Sequence, residues 1–338
     1  MTGRASDPMR GWVESFPESL EEAWNTPLPE GFAHEGTGRI IVPCGMGGSG
    51  MAGAIAAVEL ARIGRPVVSW RDSGLPRWVG AEDALVLISY SGETWEAIAL
   101  LDEAIERGVP ARAVASGGRL AARCAEAGIP CLRVPQGMAP RASLPWLLAG
   151  VFRAAGGIDD ALIRDASAAL REDRDAGIPG RDPVHLAAAL EGRIACLIPA
   201  GSDLEPIALR WRNQILENAK QAAFVSPLPE MAHNEIMGWR HLRDAGAPVT
   251  FIALIARSVA PRTRETARAL EREALDLGIP FIVVPPPRAD GLAGQLAEVQ
   301  LGDRMSVELA DRLRVAATPV EAIRRLRGSM GNGKEQVR

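Results

Sequence analysis

Two stretches near the front of the chain carry the residue types and spacing of an anion site. Cys44-Gly45-Met46-Gly47-Gly48-Ser49-Gly50 follows the apolar run Ile40-Ile41-Val42 and leads into Ala54-Ile55-Ala56-Ala57-Val58-Glu59-Leu60. It reads as strand, tight turn and helix start, an arrangement that points backbone N–H groups at an anion. Ser89-Tyr90-Ser91-Gly92-Glu93-Thr94 repeats the design between Ala84-Leu85-Val86-Leu87-Ile88 and the helix-like Trp95–Leu101. Side by side on one sheet edge, these turns would wrap a phosphate with Gly47, Gly48 and Ser49 on one side and Ser89, Ser91 and Thr94 on the other.

Gly45, Gly47 and Gly50 also fit G-x-G-x-x-G, and Asp72 falls where a ribose-binding acid would stand. A dinucleotide-binding oxidoreductase is therefore an alternative. Against it, a pyrophosphate has no use for the hydroxyls of the second turn. Asp72 also lies in Trp70-Arg71-Asp72-Ser73-Gly74, which reads equally well as a turn. A monophosphate is the better reading.

The elements that must hold these turns alternate regularly. Residues 1–36 form a helical arm, with Trp12, Val13, Phe16, Leu20 and Trp24 at helix-like intervals. Residues 37–156 are predicted as a first α/β domain. Its strands are at 40–42, 66–69, 84–88, 111–115 and 131–134, and its helices at 51–62, 95–107 and 120–127, with an apolar helix at 146–155. Strands separated by helices of this length imply right-handed crossovers and a parallel sheet. Residues 157–189 read as a polar helix (160–174) and a Gly/Pro-rich linker. From 190 to 330 the alternation restarts as a degenerate second copy, with strands at 194–199, 223–224, 248–253 and 281–284. Helices are expected there at 204–219, 263–277, 296–301, 305–314 and 319–327, before a frayed tail at 331–338.

With 338 residues the chain can bury two cores, and its net charge of −4 offers no basic face for nucleic acid. Four scattered cysteines (Cys44, Cys124, Cys131, Cys196) lack CxxC or histidine spacing, so buried thiols are expected rather than a metal site or a disulfide. No apolar run reaches the roughly 18 residues that suggest a membrane span, and the start lacks a leader-like apolar stretch; a cytoplasmic protein is expected.

Further motifs narrow the function. The two turns resemble the sugar isomerase (SIS) domain. Pro140-Arg141-Ala142-Ser143-Leu144, Asn213-Gln214-Ile215-Leu216-Glu217-Asn218-Ala219-Lys220 and Leu228-Pro229-Glu230-Met231-Ala232-His233-Asn234-Glu235 resemble the bifunctional phosphoglucose/phosphomannose isomerase family over nearly the whole chain. That resemblance implies an α/β fold of two SIS-type subdomains, each a mostly parallel sheet flanked by helices. It implies an aldose–ketose isomerase that interconverts fructose 6-phosphate with glucose 6-phosphate and mannose 6-phosphate through a cis-enediol, without cofactor or metal. Glu217 is then the base on the carbon acid, and Arg141 the fixed cation beside the enediolate. His233 is the ring-opening group, donated across a homodimer so that the active site is shared between subunits. A non-catalytic phosphosugar-binding module is the alternative in which Glu217 and His233 are dispensable. One departure stands out. The family's last helix carries a lysine that assists ring opening, where this chain has Arg327 in Thr318-Pro319-Val320-Glu321-Ala322-Ile323-Arg324-Arg325-Leu326-Arg327. Arginine keeps the charge but does not give up its proton.

Overall fold

The computed structural model describes residues 7–33 and 39–329. It opens with helices α1 (Met9–Glu14) and α2 (Phe16–Asn25), which break at Ser15 and place Pro17 in the first turn of α2, where its missing N–H costs no bond. The first half follows as β1 (Ile41–Gly45), α3 (Gly47–Arg62), β2 (Ala84–Ile88), α4 (Trp95–Glu106), β3 (Ala111–Ala115), α5 (Gly118–Glu126), β4 (Cys131–Arg133) and α6 (Leu144–Ala155). Next come α7 (Asp160–Ala176) and α8 (Pro183–Leu190). The second half is β5 (Ile194–Ala200), α9 (Glu205–Gln214), β6 (Ala223–Val225), α10 (Trp239–Asp244), β7 (Val249–Ile255), α11 (Pro261–Asp276), β8 (Phe281–Val284), α12 (Gly291–Arg312) and α13 (Glu321–Ser329).

All strand pairs are parallel, in the orders β1-β2-β3-β4 and β6-β5-β7-β8. The stretch expected as a strand at 66–69 is an edge segment instead, joined to β1 only by the bridges Ile41–Val67 and Cys44–Trp70. Pro66 brings no N–H to a ladder, and the segment pairs on one side alone. Counted with that edge, the first sheet has the chain order second, first, third, fourth, fifth, and the second sheet has second, first, third, fourth. Each therefore has a switch point, between β1 and β2 and between β5 and β7, where loops diverge and leave a crevice.

Three other expectations change. α3 starts at Gly47, so the glycine-rich turn is itself the first helical turn. The end of the supposed linker is α8, capped by the Asp182 carboxylate accepting from the Val184 N–H and burying Leu186, Ala187 and Leu190. The two helices expected at 296–301 and 305–314 are one helix, α12, since Gly302 and Asp303 interrupt the apolar pattern without interrupting the backbone.

A single apolar cluster runs through both halves. It takes Phe16 and Leu20 from α2, Leu60 from α3, Phe152 from α6, Leu170 from α7, Trp211 and Ile215 from the α9 region, and Leu296 and Val299 from α12. Each fully buried side chain of this size contributes about 1.5–3 kcal/mol, so the halves are fastened by the same effect that folds each sheet. Smaller clusters cover the outer faces. Among the described residues no helix is long and apolar enough to cross a membrane.

Candidate active site

The two hydroxyl-bearing turns meet at the first switch point. The Tyr90 N–H donates to Ser49 Oγ at 3.1 Å, which ties the start of α3 to the loop after β2. Ser89 is fully buried, accepts from the Gly92 N–H at 3.1 Å and lies 2.9 Å from Thr94 Oγ1. Ser91 accepts from the Glu93 N–H at 3.2 Å. Ser49 and Ser91 each use a lone pair inside the protein, and Thr94 can accept from Ser89, so the protons of these hydroxyls remain free to donate outward. Ser89 is the exception, buried as the post that orients Thr94. Gly92 adopts φ 68°, and a Cβ there would collide with the Gly117 carbonyl. Gly47 also has positive φ, 54°, and faces open space.

Gly48 connects these turns to the next part of the site. A Cβ on Gly48 would stand 3.2 Å from Arg141 Cα and 3.3 Å from its backbone nitrogen, so the α3 turn lies directly on the loop that carries Arg141. Arg141 precedes the buried helix α6, where Ser143 Oγ donates to the Pro140 carbonyl at 2.8 Å and holds the loop. Only 3% exposed, the guanidinium uses all three of its nitrogens. Nε donates to Asn218 Oδ1 at 2.6 Å and Nη1 to Glu217 Oε2 at 3.3 Å, while Nη2 donates to the Ala317 and Thr318 carbonyls at 2.7 and 3.1 Å. Burial pulls its pKa down while the Glu217 and Asp7 charges pull it back up; an arginine so placed stays charged.

Glu217 lies in a π turn, Ile215–Ala219, which continues α9. Such wide turns recur at functional sites because they turn side chains out of the regular helical register. Its carboxylate keeps 27% of its surface exposed while Arg141 beside it is buried. The amides flanking Glu217 serve the scaffold. Asn218 holds Arg141 and donates to Ser306 Oγ at 2.8 Å, and Gln214 Nε2 donates to Asp303 Oδ1 at 2.8 Å. Trp211 turns into α12 and donates to the Glu298 carbonyl at 2.8 Å. Lys220 ends the π turn at φ 58°, with Nζ bonded to the carbonyls of Glu217, Asn218 and Ala317 rather than to a carboxylate. Burial, then the Arg141 charge, lowers its pKa.

Some supporting residues carried no sequence signal. Arg210 and Asp303 form a buried two-bond pair at 2.9 and 2.6 Å, and Arg210 Nη2 also donates to the Arg141 carbonyl at 3.0 Å. Asp7 accepts from the Thr318 N–H at 2.9 Å and its hydroxyl at 2.5 Å. Burial opposes the Asp7 charge, but these bonds outweigh it and hold the carboxyl below its usual range. Arg71 lies against the glycine-rich turn at the start of α3, its Nε 3.6 Å from where a Cβ on Gly50 would be, with its pKa lowered by burial and then by the Arg212 charge. Its sequence neighbour Asp72 accepts from the Ser73 N–H at 2.7 Å, a local turn bond of the kind the turn reading expects.

His233 stands apart. It ends a short turn, Glu230–His233, on the second sheet's outer cluster, where Leu228, Met231 and the stacked pair Trp239–Phe251 anchor the loop. It is exposed, and among the described residues no hydrogen bond joins it to Glu217 or Arg141. Arg327 lies within the backbone of α13, but its side chain falls outside the described residues.

Two doubly wound parallel halves, with hydroxyl-lined turns at the first switch point, define the SIS class of α/β protein. Residues 181–330 match the family described as bacterial phospho-glucose isomerase C-terminal SIS domain. The chain belongs to the bifunctional phosphoglucose/phosphomannose isomerase family. The relative of that name from Aquifex aeolicus is 33% identical over 293 residues, covering 85% of this chain and 89% of that protein. A D-glucosamine-6-phosphate 4-epimerase from Sulfolobus acidocaldarius is 30% identical over 235 residues, covering 68% and 72%. The C-terminal domain of glucosamine-fructose-6-phosphate aminotransferase from Francisella tularensis shares the fold, with a TM-score of 0.71 at 12% identity over 95% of this chain and 100% of that domain.

Proposed function

We propose that this protein interconverts fructose 6-phosphate with glucose 6-phosphate and mannose 6-phosphate through a cis-enediol. The observation that carries the reading is the buried Arg141 fork, which binds the Glu217 carboxylate while its backbone supports the Gly48 turn. One loop thereby links a phosphate cradle to an acid–base group. The phosphate is held by the free N–H groups of α3 and α4 and by protons from Ser49, Ser91 and Thr94, with Gly47 and Gly48 keeping the approach clear. Arg71 adds charge to the same end.

With the phosphate fixed, the other end of the open-chain sugar comes to Glu217. Its carboxylate removes the proton from C1 or C2, and the same group returns it to the neighbouring carbon. Arg141, already aligned by Asn218 and two carbonyls, stabilises the enediolate oxygen with no reorganisation at the moment of reaction. Glucose and mannose phosphates differ only at C2, so one enediol serves both once the C2–C3 bond rotates. Ring opening falls to His233 of a neighbouring subunit, which suits its exposed place four residues before Met237, an apolar side chain 84% exposed that a dimer would cover. Arg327 contributes charge but no proton. Four free thiols suit a cytoplasmic setting. The test is an assay of purified protein with fructose 6-phosphate, with both aldose phosphates measured. Formation of glucose 6-phosphate supports the reading, and binding without turnover returns the protein to the non-catalytic class.

A further inference from the structure

Of the 38 lysines and arginines in the chain, only Lys220 and Lys334 are lysines. Where a plain positive charge suffices this chain uses arginine, so the lysine beside the Arg141–Glu217 pair is a departure, and its geometry supplies a cause. Lys220 closes the π turn in the left-handed region, with φ 58°. The residue is exposed, but its ammonium turns back onto three carbonyls: Glu217 at 2.5 Å, Ala317 at 2.9 Å and Asn218 at 3.4 Å. Two of these belong to the end of a helical turn, where carbonyls lack partners and a cation is favoured. An ammonium carries three protons in a tetrahedral cone, one for each oxygen. A guanidinium directs its donors outward in one plane and cannot converge on such a cup.

The Ala317 oxygen joins this lysine to the neighbouring fork. It accepts from Lys220 and also from Arg141 Nη2 at 2.7 Å, so a cation from each half of the chain shares one acceptor. The next residue, Thr318, is fastened by Asp7 from ahead of α1. Glu217 is thereby held at two points, its backbone carbonyl by Lys220 and its carboxylate by Arg141. Together the two bonds fix the direction in which the carboxylate faces.

We propose that Lys220 is a positioning residue for proton abstraction: its ammonium clamps the Glu217 turn to Ala317 and so sets the carboxylate against Arg141. This role rests on the reading of Glu217 as the base. The clamp needs the charged form, since a neutral amine has two protons for three carbonyls and turns a lone pair toward the third. The charges that face it are Arg141 from the loop before α6, Asp7 from ahead of α1 and Glu217 on its own turn. Burial, then the Arg141 charge, pulls its pKa below the ordinary 10.5, against the opposing pull of Asp7 and Glu217. An alkaline limb of kcat is therefore expected below that value.

Steady-state kinetics with fructose 6-phosphate across pH test this, alongside NMR of the full-length protein carrying isotope-labelled lysine. Two lysines give two side-chain signals, and Lys220→Arg identifies the relevant one. Its titration midpoint should coincide with the alkaline limb of kcat. Lys220→Met keeps the apolar stem and removes the ammonium, and should lower kcat by about 10²-fold with the phosphosugar Kd within about twofold. Lys220→Arg keeps the charge, should fall short of the parent kcat, and should lose the limb, because arginine does not titrate there. A lysine that served stability alone would lower the denaturation midpoint and leave the pH profile of kcat in place. A parent-like kcat in Lys220→Met, or an alkaline limb that survives both variants, would overturn the proposal alone. Absence of isomerisation by the parent protein would overturn the reading of Glu217 and the proposal with it.

Discussion

Arg141 and Glu217 carry the account at the level of single residues, and they act as a pair. A buried guanidinium with all three nitrogens engaged and one Nη1 proton to spare is a rigid fork, and rigidity makes it useful to a developing negative charge. Arg141→Lys keeps the charge and loses the fork: one ammonium cannot serve Asn218, Glu217 and two carbonyls together. The expected result is a fall in kcat of about 10²–10³-fold with a much smaller change in phosphosugar binding, read from steady-state kinetics alongside calorimetry. Equal losses in both would make Arg141 a binding residue only. Asp7 acts one step removed by fastening Thr318. Its pKa is lowered in the folded protein, so its stabilisation is present above the ordinary value of 3.8 and is lost as pH falls through the lower folded value. Asp7→Asn should therefore cost on the order of 1 kcal/mol at neutral pH, with the gap from the parent closing in acid, measured by denaturant melts across pH.

The elements hold that pair by buried polar bolts between α9 and α12. Asp303 binds Arg210 and Gln214, and Arg210 binds the Arg141 carbonyl, so one acid in α12 sets the position of the Arg141 loop. Burial raises the Asp303 pKa, and Arg210 works against that shift. Asp303→Asn leaves Arg210 charged, buried and poorly matched, which typically costs about 3–5 kcal/mol, so a large drop in denaturation midpoint is expected. An unchanged midpoint would mean that the bolt carries little of the fold. This is also the level at which the sequence was least informative. β2, β3 and β8 were legible from short apolar runs between turn residues, and the two βα turns of the first switch point from their glycines and hydroxyls. Gly302 and Asp303 read as a break in α12 because their purpose lies in another helix: Gly302 makes room for Trp211, and Asp303 receives Arg210. α8 hid in a proline- and glycine-rich stretch, since its cap at Asp182 shows only when its buried face is known. Asp7 gave no signal because its partner is 311 residues away.

In the whole molecule, one continuous apolar cluster locks the two sheets so that a loop of the first half reaches a π turn of the second. The site therefore belongs to neither half alone. His233 is exposed and apart from that junction, and the proposal that it serves a neighbouring subunit can be tested. Mixing Glu217→Gln with His233→Ala protein should restore part of the activity through hybrid dimers, since one of the two sites then has both groups intact. No recovery after verified subunit exchange would place the whole site within one chain. The most direct measurement concerns the proton itself. In deuterated water the parent protein should incorporate deuterium at C1 or C2 as fructose 6-phosphate equilibrates. Glu217→Gln keeps the shape and the bond to Arg141 but removes the base, so exchange should slow by about 10²–10⁴-fold while phosphosugar binding persists. Exchange by Glu217→Gln at the parent rate would contradict the assignment of Glu217 as the base.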